Sequence, residues 1–191
     1  MSVSATVKIL LISGSARGGS TNSAVLRTAA SLAPAGVEAE LLEGIGQLPL
    51  FNPDDDREGE PVDPRVAAMR QAVAGSDALL ICTPEYAGAL PAALKNLLEW
   101  TIGDAGTYDK PVAWINAAGP AAPTGAADAH ASLRKVLRYA GADIADDASA
   151  RIPVSRQDVD RRGEIADTAA RRSIAAQVQR LAEHVRRRPE A

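Results

Sequence analysis

The 191-residue chain has one cysteine, two histidines and only 3% aromatic residues. A single thiol, Cys82, excludes an intramolecular disulfide framework, and His130 and His184 leave little from which to build a zinc site. With so few rings, packing falls to alanine and the branched aliphatics within a 46% hydrophobic composition. There is no excess of basic charge either: Lys plus Arg is 21 against 24 for Asp plus Glu, a net charge of -3, which gives no electrostatic footprint for a nucleic-acid binder. No apolar run reaches the length of a membrane span. Met1-Ser2-Val3-Ser4-Ala5-Thr6 has no basic segment before an apolar stretch and does not read as a secretory signal. These absences lead us to expect a soluble, cytoplasmic protein folded as one domain over residues 1–191.

What is present is alternation. Val7–Ser13 is a short β-branched run stopped by Gly14, as expected of a buried strand. Val37–Leu42 alternates and suits a strand nearer an edge; Ala78–Thr83 again reads as a buried strand and ends at Pro84; Val112–Ala117 follows Lys110-Pro111. A weaker fifth strand is expected around Ala142–Ile152, interrupted by Asp146 and Asp147. Between these runs lie helical patterns at Ser20–Leu32, Pro64–Ala74, Leu90–Ile102 with Pro91 in its first turn, Asp128–Tyr139, and Ile165–Arg186 with a basic last turn. Strand and helix alternate throughout, which predicts an α/β fold: a five-stranded parallel sheet with helices on both faces. Ligands of such sheets sit outside the carboxyl ends of the strands, where the strand order reverses, so the loops after the strands are where chemistry is sought.

The loop after the first strand runs Gly14-Ser15-Ala16-Arg17-Gly18-Gly19-Ser20-Thr21-Asn22. Glycines turn the backbone tightly, and a helix N-terminus with free amides, hydroxyls and one cation is a phosphate site. A glycine-serine turn with a serine N-cap reads equally well from these residues alone. No G-x-x-x-x-G-K-[ST] occurs, and the dinucleotide fingerprint fails because Ala16 stands where its second glycine belongs. Glu43, after the second strand, reads as a solvated carboxylate, and the loop suits one terminal phosphate better than a pyrophosphate.

The loop after the third strand, Thr83-Pro84-Glu85-Tyr86-Ala87-Gly88, leads into Leu94-Lys95-Asn96. Gly14, Ser15, Arg17, Ser20 and Asn22, then Pro84-Glu85-Tyr86 and Leu94-Lys95-Asn96, together resemble the NADPH-dependent FMN reductase family of flavodoxin-like quinone, azo and chromate reductases. Leu48-Pro49-Leu50-Phe51-Asn52 and Ser76-Asp77-Ala78 are similar to the family as well, so that the resemblance covers about Val7 to Tyr139. It implies a flavodoxin-like three-layer sandwich and an FMN site. Ser15, Arg17, Ser20, Thr21 and Asn22 would hold the phosphate, and main-chain amides of Glu85, Tyr86 and Ala87, after Pro84, would line the ring. A planar heterocycle needs edge-on donors, and an exposed backbone stretch supplies them at no side-chain entropy cost. Small residues after the fourth strand, with Ala118 and Gly119 as contacts, would leave room on the other side; a merely flexible connection is an equal reading there.

The chain departs from the family at Ala87, where Asn is usual; the loss of that amide is expected to loosen FMN or reshape the substrate pocket. Cys82 reads as a buried small hydrophobe, and Lys95 and Asn96 as support for the helix or loop rather than chemistry. Asp54-Asp55-Asp56 reads as a solvated acidic loop, not a metal site, and His130 and His184 as surface or helix-end residues. The resemblance implies hydride uptake from NADPH or NADH and ping-pong transfer to a small-molecule acceptor: a quinone, azo compound, metal oxyanion or free flavin. No catalytic side chain is expected, because the cofactor carries the reactive centre. A homodimer is implied, a tetramer being the alternative, with Leu50-Phe51-Asn52 as a candidate contact. Two other classes stay open at this point: a flavodoxin-like electron carrier, and a flavin-free regulatory or interaction domain.

Overall fold

The computed structural model describes residues 6–189; the reading of Met1–Ala5 as lacking a signal segment lies outside them. Strands β1 (Val7–Ser13), β2 (Val37–Leu42), β3 (Ala78–Cys82) and β4 (Pro111–Asn116) are parallel, in the order β2-β1-β3-β4. The expected fifth strand is two short pieces, β5 (Asp143–Ile144) against the start of β4 and β6 (Ala150–Arg151) against its end, joined by a 3-10 turn over Asp146–Ala148. Ion pairs flank the interruption. Asp146 pairs with Arg134 and Asp147 with Arg187, which lie on two different helices. The rung left empty is filled by a side chain: the Trp114 N–H donates to Ser149 Oγ at 3.2 Å.

Helices α1 (Thr21–Ser31) and α5 (Thr168–Arg187) cover one face, and α2 (Pro64–Ala74), α3 (Ala92–Trp100) and α4 (Ala127–Tyr139) the other. Residues alternate along the strands: Ile9, Leu11, Leu80 and Ile115 join the core with α1 and α5, whereas Leu10, Ile12, Leu79 and Trp114 join the core with α2, α3 and α4. Burial on both faces is why these strands read as unbroken apolar runs. Pro91 stands one residue outside its helix, as the N-cap with extended backbone, rather than in the first turn.

The strand order reverses between β1 and β3, whose ends are in register at Ser13 and Cys82. There Gly14 donates its N–H to the Cys82 carbonyl at 2.9 Å. A Cβ on Gly14 would fall 2.1 Å from Thr83 Oγ1, so the close approach of the two loops admits no side chain at this position. This is the crevice where a doubly wound sheet binds its ligand.

Candidate functional site

The β1–α1 loop is organised by serines. Ser20 caps α1, its Oγ accepting from Ser23 N at 3.0 Å, and the hydroxyls of Ser13, Ser23 and Ser20 form a chain with 2.9 Å links. Ser15 is buried, with its N–H donated to Ser13 Oγ and its Oγ accepting the Arg17 N–H. Ser15 and Ser20 therefore hold the loop from beneath. Arg17 is exposed at its crest, and among the described residues it enters no ion pair. Thr21 and Asn22 face a cleft of about 290 Å³ beside the loop. The Asn22 Oδ1 accepts the Cys82 thiol at 3.3 Å, which leaves the amide NH2 for the cleft. Cys82 is buried as expected, and burial pushes its thiol up, away from thiolate chemistry.

Thr83, Pro84 and Glu85 form one wall of this cleft, and Ala117, Ala118, Gly119 and Thr124 the other. Beyond Glu85 the chain makes a two-residue hairpin: Tyr86 and Ala89 exchange both main-chain hydrogen bonds, at 3.0 and 3.1 Å, around Ala87 (φ 51°) and Gly88 (φ 72°). Two left-handed central residues define a type I′ turn. The Tyr86 N–H is thus engaged within the turn and is not open to a ring, a correction to the expected amide set. The N–H groups of Glu85, Ala87 and Gly88 have no partner among the described residues; Glu85 lines the cleft, Tyr86, Ala87 and Gly88 lie outside its lining, and Tyr86 is 52% exposed.

The opposite wall is closed on itself by Asn116. Its Oδ1 accepts the Ala118 N–H at 3.0 Å and its Nδ2 donates to the Gly125 carbonyl at 2.8 Å, so this segment is a tied loop rather than a loose connection. A Cβ on Gly119 would meet the Val154 carbonyl at 3.0 Å. The wall ends at Ala126, the N-cap of α4, which has left-handed backbone (φ 59°) and no side chain to offer the helix. Glu85 supplies what is missing from across the cleft. Its Oε2 accepts the Ala129 N–H in the first turn of α4 at 3.1 Å, and its Oε1 accepts the Thr124 hydroxyl at 2.6 Å. The Thr124 and Ala129 bonds hold the Glu85 carboxyl below its ordinary range. Sequence reasoning gave Glu85 only a main-chain role; the signal for its side chain was a helix starting at Ala126-Ala127 without any capping residue.

Further assignments change or sharpen. Asn96 clamps the Leu48–Asn52 segment: its Oδ1 accepts the Phe51 N–H at 2.8 Å, and its Nδ2 and Trp100 Nε1 each donate to the Pro49 carbonyl at 2.9 Å. Of the candidate dimer contact, Leu50 is 81% exposed, but Phe51 packs edge-on against Trp100 and Asn52 caps a 3-10 turn. Asp56 is not solvated; it lies 2.7 Å from Arg70, which also donates to the Trp100 carbonyl, and both side chains are largely buried. His130 is not a surface residue: it is buried on the inner stripe of α4 near Trp114, with neither ring nitrogen partnered, and burial lowers it to about 4. His184 does sit at a helix end, 2.8 Å from Asp143. Glu43 is exposed, as expected.

A larger hollow, about 440 Å³, runs along edge strand β2 between Lys8, Glu38, Glu40 and Ser76, and so lies away from the loops that follow the strands. Ser15 and Arg17 line a separate hollow of about 360 Å³ with Ser23, Arg27, Glu43 and Gln47, whereas Thr21 and Asn22 line the smaller cleft at the order reversal with Thr83, Glu85 and Thr124.

The sequence profile of the NADPH-dependent FMN reductase family matches residues 7–153. The chain is 36% identical over 183 residues to an NAD(P)H-dependent FMN reductase of Pseudomonas aeruginosa, covering 95% of this chain and 96% of that one. It is 33% identical over 186 residues to a 2-hydroxy-1,4-benzoquinone reductase of a Burkholderia species, covering 95% and 98%. Among solved structures, the flavoenzyme NAD(P)H:(acceptor) oxidoreductase of Paracoccus denitrificans superposes with a TM-score of 0.76 at 26% identity, over 93% of this chain and 98% of that one. A flavodoxin, WrbA-like protein of Agrobacterium tumefaciens shares the fold alone, at a TM-score of 0.64 and 12% identity over 97% of this chain and 100% of that one.

Proposed function

Because the chain belongs to the NADPH-dependent FMN reductase family, we propose that it is an FMN-dependent oxidoreductase that takes a hydride from NADPH or NADH and passes the electrons to a small quinone. The observation that carries this reading is the cleft at the β1–β3 order reversal, with Glu85 on one wall, alanine and glycine on the other, and the start of α1 at Thr21 and Asn22, whose preceding loop carries Arg17 into an adjoining hollow. FMN fits that arrangement. The free N–H groups of Glu85, Ala87 and Gly88 suit the edge of a flat heterocycle, and Ala118 and Gly119 leave room for its face. Thr21 and the Asn22 amide offer neutral donors, and the loop amides with Arg17 suit a phosphate. Ser15 and Ser20 shape that cradle, Pro84 fixes the entry to the turn, and Tyr86 contributes its ring at the mouth rather than its amide.

When bound, FMN supplies the redox chemistry, and the protein needs no nucleophile of its own. The chain's tasks are to grip the phosphate, present amides to one edge of the ring, and keep the mouth beside Tyr86 open to each substrate in turn. One shared mouth implies ping-pong kinetics, and it would admit azo compounds, metal oxyanions or free flavin as well as quinones. The whole of residues 1–191 would serve as a single FMN-binding domain. It would act as a cytoplasmic homodimer, or as a tetramer, with Leu50, held outward by the Asn96 clamp, at the contact. No helix among the described residues is long and apolar enough to cross a membrane.

The test is spectroscopic. Purified protein saturated with FMN should be yellow, should bleach under anaerobic NADPH or NADH without a helper protein, and should regain its colour with 2-hydroxy-1,4-benzoquinone. A flavin that stays oxidised for many minutes with both nicotinamides would favour an electron carrier instead.

A further inference from the structure

We infer that Glu85 is a positioning residue whose carboxylate latches the two walls of the cleft together and sets the width of the slot that receives the flavin ring. The inference rests on the FMN reading above. β3 and β4 run side by side as far as Cys82 and Ile115, after which their loops separate around the cleft. Among the described residues, the Glu85 carboxylate makes every hydrogen bond between residues 83–89 and residues 117–129. Each of its oxygens has a separate task. Oε1 takes the Thr124 hydroxyl, and Thr124 is itself oriented because its Oγ1 accepts the Ala126 N–H at 3.2 Å. Oε2 takes the Ala129 N–H at the positive end of α4.

The consequence for the ring wall follows from chain connectivity. Glu85 lies immediately before the Tyr86–Ala89 turn, so fixing its side chain fixes where the open amides of residues 85, 87 and 88 stand relative to Ala118 and Gly119. The charge suits a permanent latch rather than a titrating one. Hydrogen bonds from Thr124 and Ala129 favour the ionised form, and the nearest titratable neighbour, His130, is held neutral by burial. A plain helix cap would need only the Ala129 bond; the Thr124 bond ties the carboxylate to the loop that precedes α4 as well.

Dissociation constants for FMN and for riboflavin, read from the quenching of flavin fluorescence, separate the two roles when paired with the melting temperature of flavin-free protein. Glu85→Ala should weaken both flavins by the same factor, about tenfold, because the ring wall and not the phosphate loop is disturbed. Thr124→Val should weaken both by a smaller common factor while lowering the flavin-free melting temperature less than Glu85→Ala does, since the cap on Ala129 survives and only the Ala126 N–H loses its acceptor. Glu85→Gln should recover most of the lost affinity, its carbonyl accepting from Ala129 and its NH2 donating to Thr124. If Glu85→Ala does not fold, Thr124→Val carries the test. Dissociation constants within twofold of the parent in Thr124→Val would overturn the latch, whatever happens to the melting temperature. So would a loss confined to FMN with riboflavin unaffected. A parent protein that binds neither flavin would instead overturn the FMN reading itself.

Discussion

Asn96 on α3 holds Phe51 in place with a main-chain bond: its Oδ1 accepts the Phe51 N–H at 2.8 Å while the rest of its amide reaches the Pro49 carbonyl. The side chain is buried, so both bonds are made away from water. Removing it leaves a donor and part of an acceptor without partners, although Trp100 Nε1 still serves Pro49. We expect Asn96→Ala to destabilise the protein by about 1–3 kcal/mol and to release the loop that displays Leu50. Urea denaturation measures the first effect. Sedimentation at several protein concentrations measures the second, as a weaker self-association. A variant as stable as the parent would show that the clamp is incidental.

Ala87 and Gly88 both occupy the left-handed region, and the second of them is the residue type the conformation favours. Ala87 is not: an L-residue with a Cβ is disfavoured there by about 1–2 kcal/mol. The family's usual Asn would make an Asn-Gly pair, the favoured sequence for a type I′ turn. The departure at Ala87 therefore has a structural meaning beyond the lost amide: it strains the turn that follows Glu85. Ala87→Asn should raise the stability of flavin-free protein by about 1 kcal/mol, and a β-branched Ala87→Val should lower it. Melting curves of the two variants check the sign; a destabilised Asn variant would contradict the turn assignment.

Much of this architecture was legible because its strands are buried on both faces. Ile9–Ile12 and Ala78–Cys82 are apolar without interruption, and their helices end at glycine, proline or a serine cap that local chemistry dictates. The split of the fifth strand was legible only in part: Asp146 and Asp147 marked the break, but their partners Arg134 and Arg187 belong to helices remote in the fold. The cleft shows the same division. Its loops announced themselves through glycine and proline, whereas the Glu85 side chain is bonded to groups 39 and 44 residues away, beyond the reach of any local pattern. Asp56 was misread for that reason, since a run of three aspartates gives no hint of Arg70. His130 was within reach: Ala126, Ala129, His130, Leu133 and Leu137 fall at helical spacing on the buried stripe of α4.

Arg17 is the one cation between Gly14 and Asn22, at the crest of a loop whose serines are bonded beneath it. Against a phosphate carrying close to two negative charges, Arg17→Ala should weaken FMN by about 1.5–3 kcal/mol, roughly tenfold to a hundredfold. Riboflavin, which has no phosphate, should bind as before. The pattern is opposite to that expected at Glu85, where both flavins suffer alike, so one pair of titrations distinguishes the phosphate cradle from the ring wall. Equal losses for the two flavins in Arg17→Ala would sink the phosphate assignment.

The imidazole of His130 should make the protein sensitive to mild acid. It is buried near Trp114, with Glu85 as an opposing charge, and Arg134 lies over the same tryptophan ring. Burial disfavours the charged form, so its value falls from an ordinary 6.5 to about 4, with the Glu85 charge opposing the shift only in part. Between those values the unfolded chain binds a proton that the folded protein refuses. Stability therefore rises with pH through this window, is complete above about pH 6.5, and is lost as the pH falls toward 4. The full loss is on the order of 3 kcal/mol. Glu85, whose carboxyl is held below its ordinary 4.5, adds a loss of the same sign at the acid end of the range. His130→Leu removes the titrating ring and two unpartnered nitrogens while keeping an apolar side chain of similar size. It should be at least as stable as the parent at pH 7 and should lose distinctly less stability between pH 6.5 and 4.5. Urea midpoints measured across that range for both proteins decide the matter, and parallel curves would mean that His130 is not the group that titrates.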